Sequence, residues 1–177
     1  KLFYPGIKIA NIDLSGKTKN DGKKQLKSEL IDKLNDYKLD IKVANFVFVL
    51  DCSKLIKSFD IDTIIDEAFN TGKNMDFRSK YNIIKQGIID NFNLYIVYDE
   101  EYLQKFILDI QNKVNKEPVN AAIEISSEGT IRIIDEVKGL KLKNKELEFQ
   151  IKDMINKRCF ENTVIDASTE ETPAAIS

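Results

Sequence analysis

The stretch Tyr4-Pro-Gly-Ile-Lys-Ile-Ala-Asn-Ile-Asp-Leu-Ser-Gly-Lys-Thr18 decides how this chain is read. Pro5-Gly6 is a turn signal, and Ile7, Ile9, Ile12 and Leu14 carry the apolar/polar alternation of a strand near 7–14. Ser15-Gly16 ends that strand. Thr18 can then cap a helix, because its hydroxyl can accept from a first-turn amide, and Asp21 three positions on is a short form of the capping-box acid. The helix is predicted near 18–35, with Leu26, Leu30, Ile31 and Leu34 as its apolar stripe. Gly22 falls inside its first turns, at about 1 kcal/mol relative to alanine.

Beyond this opening, strands near 39–43 and 46–51 read as a hairpin through Ala44-Asn45, since Asn tolerates turn geometry. The poor alternation of Phe46-Val-Phe-Val-Leu50 predicts a strand covered on both faces. A helix starts at about Asp60 or Asp62. Ile61, Ile64, Ile65, Ala68 and Phe69 follow helical spacing, and Gly72 stops it. A weaker helix near 76–86 has Phe77, Tyr81 and Ile84 on one side and ends at Gly87. Next comes a strand over 92–98, with Phe92, Leu94, Ile96 and Tyr98 on one face and Asn93, Tyr95 and Val97 on the other. Asp99 caps a helix near 100–115 that turns Leu103, Phe106, Ile107, Ile110 and Val114 inward, and Pro118 returns the chain to extended structure.

The last third reads as a hairpin, 121–126 and 130–135, turning at Ser127-Glu128-Gly129. A helix near 144–158 and a short strand at 163–165 follow. Residues 167–177 have the composition of a linker into a further, downstream domain. The fold class is therefore α+β, with a mainly antiparallel or mixed sheet and about five helices. The module spans 1–166, and lobes of 1–118 and 119–166 are compatible with it.

Composition narrows the chemistry. The chain has 177 residues, net charge −2 and no histidine, so Cys–His and Ser–His catalysis and histidine-ligated zinc are excluded within it. No glycine-rich phosphate loop occurs, and Asp13, Asp60, Asp62 and Asp66 do not fit the calcium-loop pattern. Asp99-Glu100-Glu101 point in different directions from a helix start, so they cap the helix rather than form a glycosidase pair. No catalytic residue, metal ligand or cofactor is assigned. Cys52 and Cys159 can form a disulfide in an oxidising compartment or stay as two half-buried thiols, and the second reading is favoured.

Charge is uneven: residues 1–59 hold 12 Lys/Arg against 7 Asp/Glu, which could face an anionic polymer, though Lys23, Lys24, Lys27 and Lys33 read first as a solvated helix face. No dense basic stripe argues for nucleic acid, and the longest apolar run is too short to cross a bilayer. The start at Lys1 rather than Met suggests an excised fragment, with any signal or anchor upstream.

The opening stretch, together with Pro118-Val-Asn-Ala121, Ile123, Gly129-x-Ile131-x-Ile133 and Glu136-x-x-Gly139-x-x-Leu142, resembles the peptidoglycan-binding domain that accompanies L,D-transpeptidase catalytic domains and VanW-type domains in Gram-positive bacteria. The resemblance covers about residues 4–145 and rests on turn glycines and apolar spacing. It implies a non-catalytic extracellular module of the cell envelope, anchored upstream of Lys1. Its partners would be peptidoglycan, through glycan or stem peptide, and a downstream domain bearing a Ser-His-Gly-Cys motif, which is absent here. The same resemblance leads one to expect alanine where this chain has Gly22. A spacer or protein-interaction module without wall affinity is the alternative. For ligand contact the candidates are Tyr95, Asn91 and Asn93, because Tyr95 falls opposite Phe92, Leu94 and Ile96 and offers an apolar ring with a polar tip; cross-strand packing is its competing role.

Overall fold

A computed structural model describes residues 1–88, 90–125, 131–157 and 160–175. In chain order the elements are β1 (Ile7–Ile9), β2 (Ile12–Asp13), α1 (Lys19–Asn35), β3 (Lys38–Val43), β4 (Phe46–Asp51), α2 (Cys52–Leu55), β5 (Ile56–Phe59), α3 (Ile61–Asn70), α4 (Phe77–Gln86), β6 (Asp90–Phe92), β7 (Ile96–Tyr98), α5 (Glu100–Val114), β8 (Ala122–Ile125), β9 (Ile131–Ile134), β10 (Gly139–Leu142), α6 (Asn144–Lys157), β11 (Val164–Asp166) and β12 (Thr169–Thr172). This is the α+β class predicted from sequence, built from small mixed and antiparallel sheets. The chain divides into two compact units made of interleaved segments: Lys1–Lys38, Asp51–Glu100 and Asp153–Asn162 in the first, Leu39–Leu50, Glu101–Lys152 and Thr163–Ser177 in the second.

The first unit departs from the predicted single strand over 7–14. Ala10 and Asn11 both adopt positive φ, 47° and 64°, so the chain reverses and β1 pairs antiparallel with β2 in the register Ile9↔Ile12. Two consecutive left-handed residues suit a tight hairpin turn, and Asn tolerates that region better than most side chains. Because residues opposite one another share a sheet face, Ile7, Ile9, Ile12 and Leu14 are still all buried, as their spacing requires. β6 then pairs parallel with β1, Ile7↔Asp90 to Ile9↔Phe92. Just before that ladder, the Ile88 N–H donates to the Pro5 carbonyl at 2.7 Å. The two backbones meet so closely that a Cβ on Gly6, itself at φ +87°, would fall 2.2 Å from the Ile88 carbonyl oxygen.

The predicted strand over 92–98 is likewise two strands. β6 ends at Phe92 and β7 pairs antiparallel with β5, Phe59↔Ile96, so the segment moves from one sheet to another. Its alternation survives the break: Leu94 is buried, while Asn93, Tyr95 and Val97 are exposed.

α1 packs on α3 and begins as its sequence predicts. The Thr18 hydroxyl accepts from the Asp21 amide at 3.2 Å and donates to the Asp21 carboxylate at 2.6 Å. Of the predicted stripe, Leu26 and Leu30 are buried, whereas Ile31 is 58% exposed. Two α1 lysines, Lys19 and Lys23, pair with Asp66 and Asp62 of α3. Gly22 has a reason that helix propensity does not supply. It faces the buried ring of Phe3, and a Cβ there would lie 2.6 Å from Phe3 Cε2. Phe3 also meets Phe69 edge-on, with ring centroids 5.0 Å apart.

In the second unit β3 lies between β11, parallel to it, and β4. Leu39, Ile41 and Val43 alternate inward, and Ala44 turns the hairpin at φ 50°. β4 is not covered on both faces as its apolar run predicts. It is a sheet edge, and Phe46, Val47 and Val49 are 44–61% exposed. An edge strand keeps β-branched and aromatic residues for their fit to extended backbone, so an apolar run does not by itself require two covers. α5 buries Leu103, Ile107, Ile110 and Val114 as predicted. β8 and β9 form the predicted hairpin, whose turn at Ser127-Glu128-Gly129 lies outside the described residues. Thr169–Thr172, assigned to a linker on composition, pairs as β12 with β10, Leu142↔Thr169. Backbone pairing, not side-chain apolarity, holds this polar Thr-Glu-Glu-Thr segment, and composition cannot register that. Cys52 is buried; Cys159 lies outside the described residues.

The Gly22–Phe3 contact makes a testable distinction. Propensity alone would have Gly22→Ala stabilise by about 1 kcal/mol, but overpacking a filled site costs about 1–3 kcal/mol. Thermal unfolding of Gly22→Ala is therefore expected to show a net loss, which shrinks in a Phe3→Leu background. A more stable single variant would remove the packing explanation.

Candidate functional site

The local chain of hydrogen bonds around Gly6 builds a cleft in the first unit. Ser15 Oγ accepts from the Gly6 amide at 2.8 Å and donates to Asp13 at 2.5 Å, which holds the Asp13 carboxyl below its ordinary range. The Phe3 amide donates to the Lys17 carbonyl at 2.9 Å, and the Gly16 amide to the Phe3 carbonyl at 3.1 Å. These bonds pin the arm 1–5 beside α1. Opposite it, α3 stops at Asn70, Gly72 takes φ +75°, and the Lys73 amide closes a turn on the Asn70 carbonyl. α4 then starts from Asp76, whose carboxylate accepts from the Arg78 and Ser79 amides at 2.9 Å each.

Between arm and helix lies an open cleft of about 520 Å³, lined by Lys1, Leu2, Phe3, Tyr4, Pro5, Gly16, Lys73, Lys80 and Ile84. Such a volume is typical of small-ligand sites. Its side chains are apolar or cationic, with no acidic residue among the described lining. Lys73 is the unusual member. Its ammonium sits over the Phe69 ring, is shielded from water and has no hydrogen-bond partner among the described residues. Burial first, then the charges of Lys1 and Lys19, push its pKa down to about 8.

α4 continues the cleft with a surface of its own. Phe77, Tyr81 and Ile84 recur at helical spacing, as predicted, yet none is buried: they are 87%, 58% and 61% exposed. An exposed aromatic face on a strongly amphipathic helix is unusual for a surface that contacts only water. The spacing was legible in sequence; the lack of a covering element was not.

The sequence-predicted candidates lie elsewhere in the same unit. Tyr95 is 47% exposed, and its hydroxyl donates to the Glu67 carboxylate at 3.1 Å, which raises its pKa. Asn91 is committed to the β1–β2 turn: its Oδ1 accepts from the Asn11 amide at 3.0 Å and its Nδ2 donates to Asn11 Oδ1 at 2.9 Å. Asn93 is exposed between them in sequence. None of the three lines the Lys73 cleft. Among the described residues no group of three or more His, Cys, Asp or Glu could hold a metal, and no helix is long and apolar enough to cross a membrane.

The first unit thus exposes a cationic cleft beside an aromatic helix face. In comparison with protein families, residues 48–161 match the family described as "Putative peptidoglycan binding domain", and the chain belongs to that family. The match takes in Lys73, α4, Tyr95, Asn91, Asn93 and the Pro118–Leu142 signature; the opening stretch 4–18 lies before it. Family membership associates the chain with the cell wall. Neither the search of curated proteins nor that of solved structures gave a match.

Lys73 yields a pH prediction. Its folded-state pKa is lowered, so between about 8 and the ordinary 10.5 the unfolded chain holds a proton that the folded chain has lost. Stability contributed by this group therefore rises with pH across that window. Chemical unfolding of Lys73→Met should flatten that rise relative to the parent, while the parent's Lys73 side chain titrates near 8 by NMR.

Proposed function

We propose that this chain is a non-catalytic, extracellular module of a Gram-positive cell envelope that binds peptidoglycan and positions a downstream wall enzyme such as an L,D-transpeptidase. Membership of the peptidoglycan-binding family over residues 48–161 carries the reading. The open cleft and the exposed Phe77–Tyr81 face of α4 support it, because aromatic rings offer an apolar platform to a sugar or peptide. The exposed ring of Tyr95, oriented by its bond to Glu67 and flanked in sequence by Asn91 and Asn93, is a second surface on which a glycan could rest. A segment upstream of Lys1 would anchor the protein, and the enzyme would follow residue 177.

The test is co-sedimentation with isolated Gram-positive sacculi, with and without teichoic acid, at low and near-physiological salt. Retention on stripped sacculi at physiological salt is expected, and Phe77→Ala with Tyr81→Ala should weaken it several-fold while Tyr95→Ala reports on the second surface. Retention only on unstripped wall at low salt would reduce the interaction to screened charge attraction by the basic first third. Absence of retention in every condition would leave a spacer that holds its neighbour without touching the wall.

A further inference from the structure

The Lys73 cleft has a chemical preference that wall binding in general does not specify. A buried ammonium has three donors, and leaving them unmet is unfavourable unless an acceptor arrives. Here the Phe69 ring face covers one side of Lys73, and no described protein oxygen accepts from it. Lys1 and Lys80 stand at the same cleft, so three side-chain cations converge where the described lining offers no carboxylate. The remaining walls are Leu2, Phe3, Tyr4, Pro5, Gly16 and Ile84. A strongly hydrated, multiply charged phosphate would forfeit its water against those walls, and no arginine fork is there to grip it. A single desolvated ammonium against apolar walls suits a monoanion attached to a small hydrocarbon body.

We propose that this cleft is a receptor for a carboxylate borne on a small aliphatic group, with Lys73 as its charge partner and Lys80 and Lys1 as flanking cations. The source, a free carboxylate of a peptidoglycan stem peptide, rests on the wall-binding reading; the carboxylate preference does not. Bound carboxylate holds the ammonium protonated, so occupancy falls as pH rises through the titration of Lys73. The other charges facing Lys73 are Lys1 on the arm, Lys19 on α1 with its Asp66 partner on α3, and Lys80 on α4. These cations reinforce the attraction, and Asp66 is already engaged.

The experiment titrates the whole chain, at about pH 7 and about pH 9, with N-acetyl-alanyl-alanine in its D and L forms, its C-terminal amide, N-acetylmuramic acid, inorganic phosphate and glycerol phosphate. NMR of the lysine side chains provides the readout. The dipeptide acid is expected to shift the Lys73 resonance and raise its pKa, with weaker binding at the higher pH and none by the amide. Lys73→Met should lose about tenfold or more in affinity, the usual size of a charge-assisted hydrogen bond. Lys73→Arg keeps its charge across this range, so it should bind with no fall between the two pH values, and it serves if the Met variant fails to fold. Acid and amide binding alike, or neither moving Lys73, would overturn the proposal, as would tighter binding of either phosphate. Preference for the muramic acid would keep the carboxylate site but move its source from stem peptide to sugar. Dipeptide binding without sacculus retention would refute wall binding and leave the cleft's chemistry standing; retention on sacculi with a silent Lys73 would do the reverse.

Discussion

The 2.7 Å hydrogen bond from the Ile88 amide to the Pro5 carbonyl is the contact on which the first unit depends. It brings a segment that follows α4 against the N-terminal arm, and it opens the parallel ladder of β1 with β6. Two glycines make it possible. Gly6 and Gly87 both have positive φ, and each faces the other strand's backbone, with a hypothetical Cβ 2.2 Å and 3.1 Å from a carbonyl oxygen. Only residues without a side chain allow main chains to approach in this way. The same closure fixes where α4 ends relative to the arm, and the cleft lies between them.

That cleft is a place where local consistency is broken. Other charges of the first unit are partnered: Lys19 and Lys23 meet acids of α3, and Asp13, Asp60 and Asp76 accept amides or hydroxyls within three residues. Lys73 instead keeps a desolvated ammonium over an aromatic ring. The α4 face repeats the theme with apolar side chains in water. Departures of this kind tend to gather where a protein binds something, because a ligand supplies the missing partner. Wall association, given by the family, and a cleft whose described lining carries lysines and no carboxylate are thus complementary observations from sequence comparison and from packing.

Much of the architecture is legible in the chain. Thr18-x-x-Asp21, the Ile61–Phe69 stripe and the Leu103–Val114 stripe each predict a helix that exists, since capping and helical periodicity are local properties. The errors share a cause. The reversal at Ala10-Asn11, the division of 92–98 between two sheets and the strand at Thr169–Thr172 all depend on which backbone lies alongside. β4 lies at a sheet edge with Phe46, Val47 and Val49 exposed, which no apolar count reveals.

For the site, sequence alone identified the aromatic spacing of α4, the absence of histidine chemistry and the resemblance to a wall-binding family. It directed attention to Tyr95, Asn91 and Asn93 because a strand face with a tyrosine is visible in one dimension. Tertiary structure decided that Asn91 is spent on Asn11, that Gly22 makes room for Phe3, and that the Lys73 ammonium is shielded from water with no partner among the described residues. Periodicity and caps are written into neighbours a few residues apart. Desolvation and close backbone approach arise between residues such as Pro5 and Ile88, or Lys73 and the arm, that only the folded chain brings together.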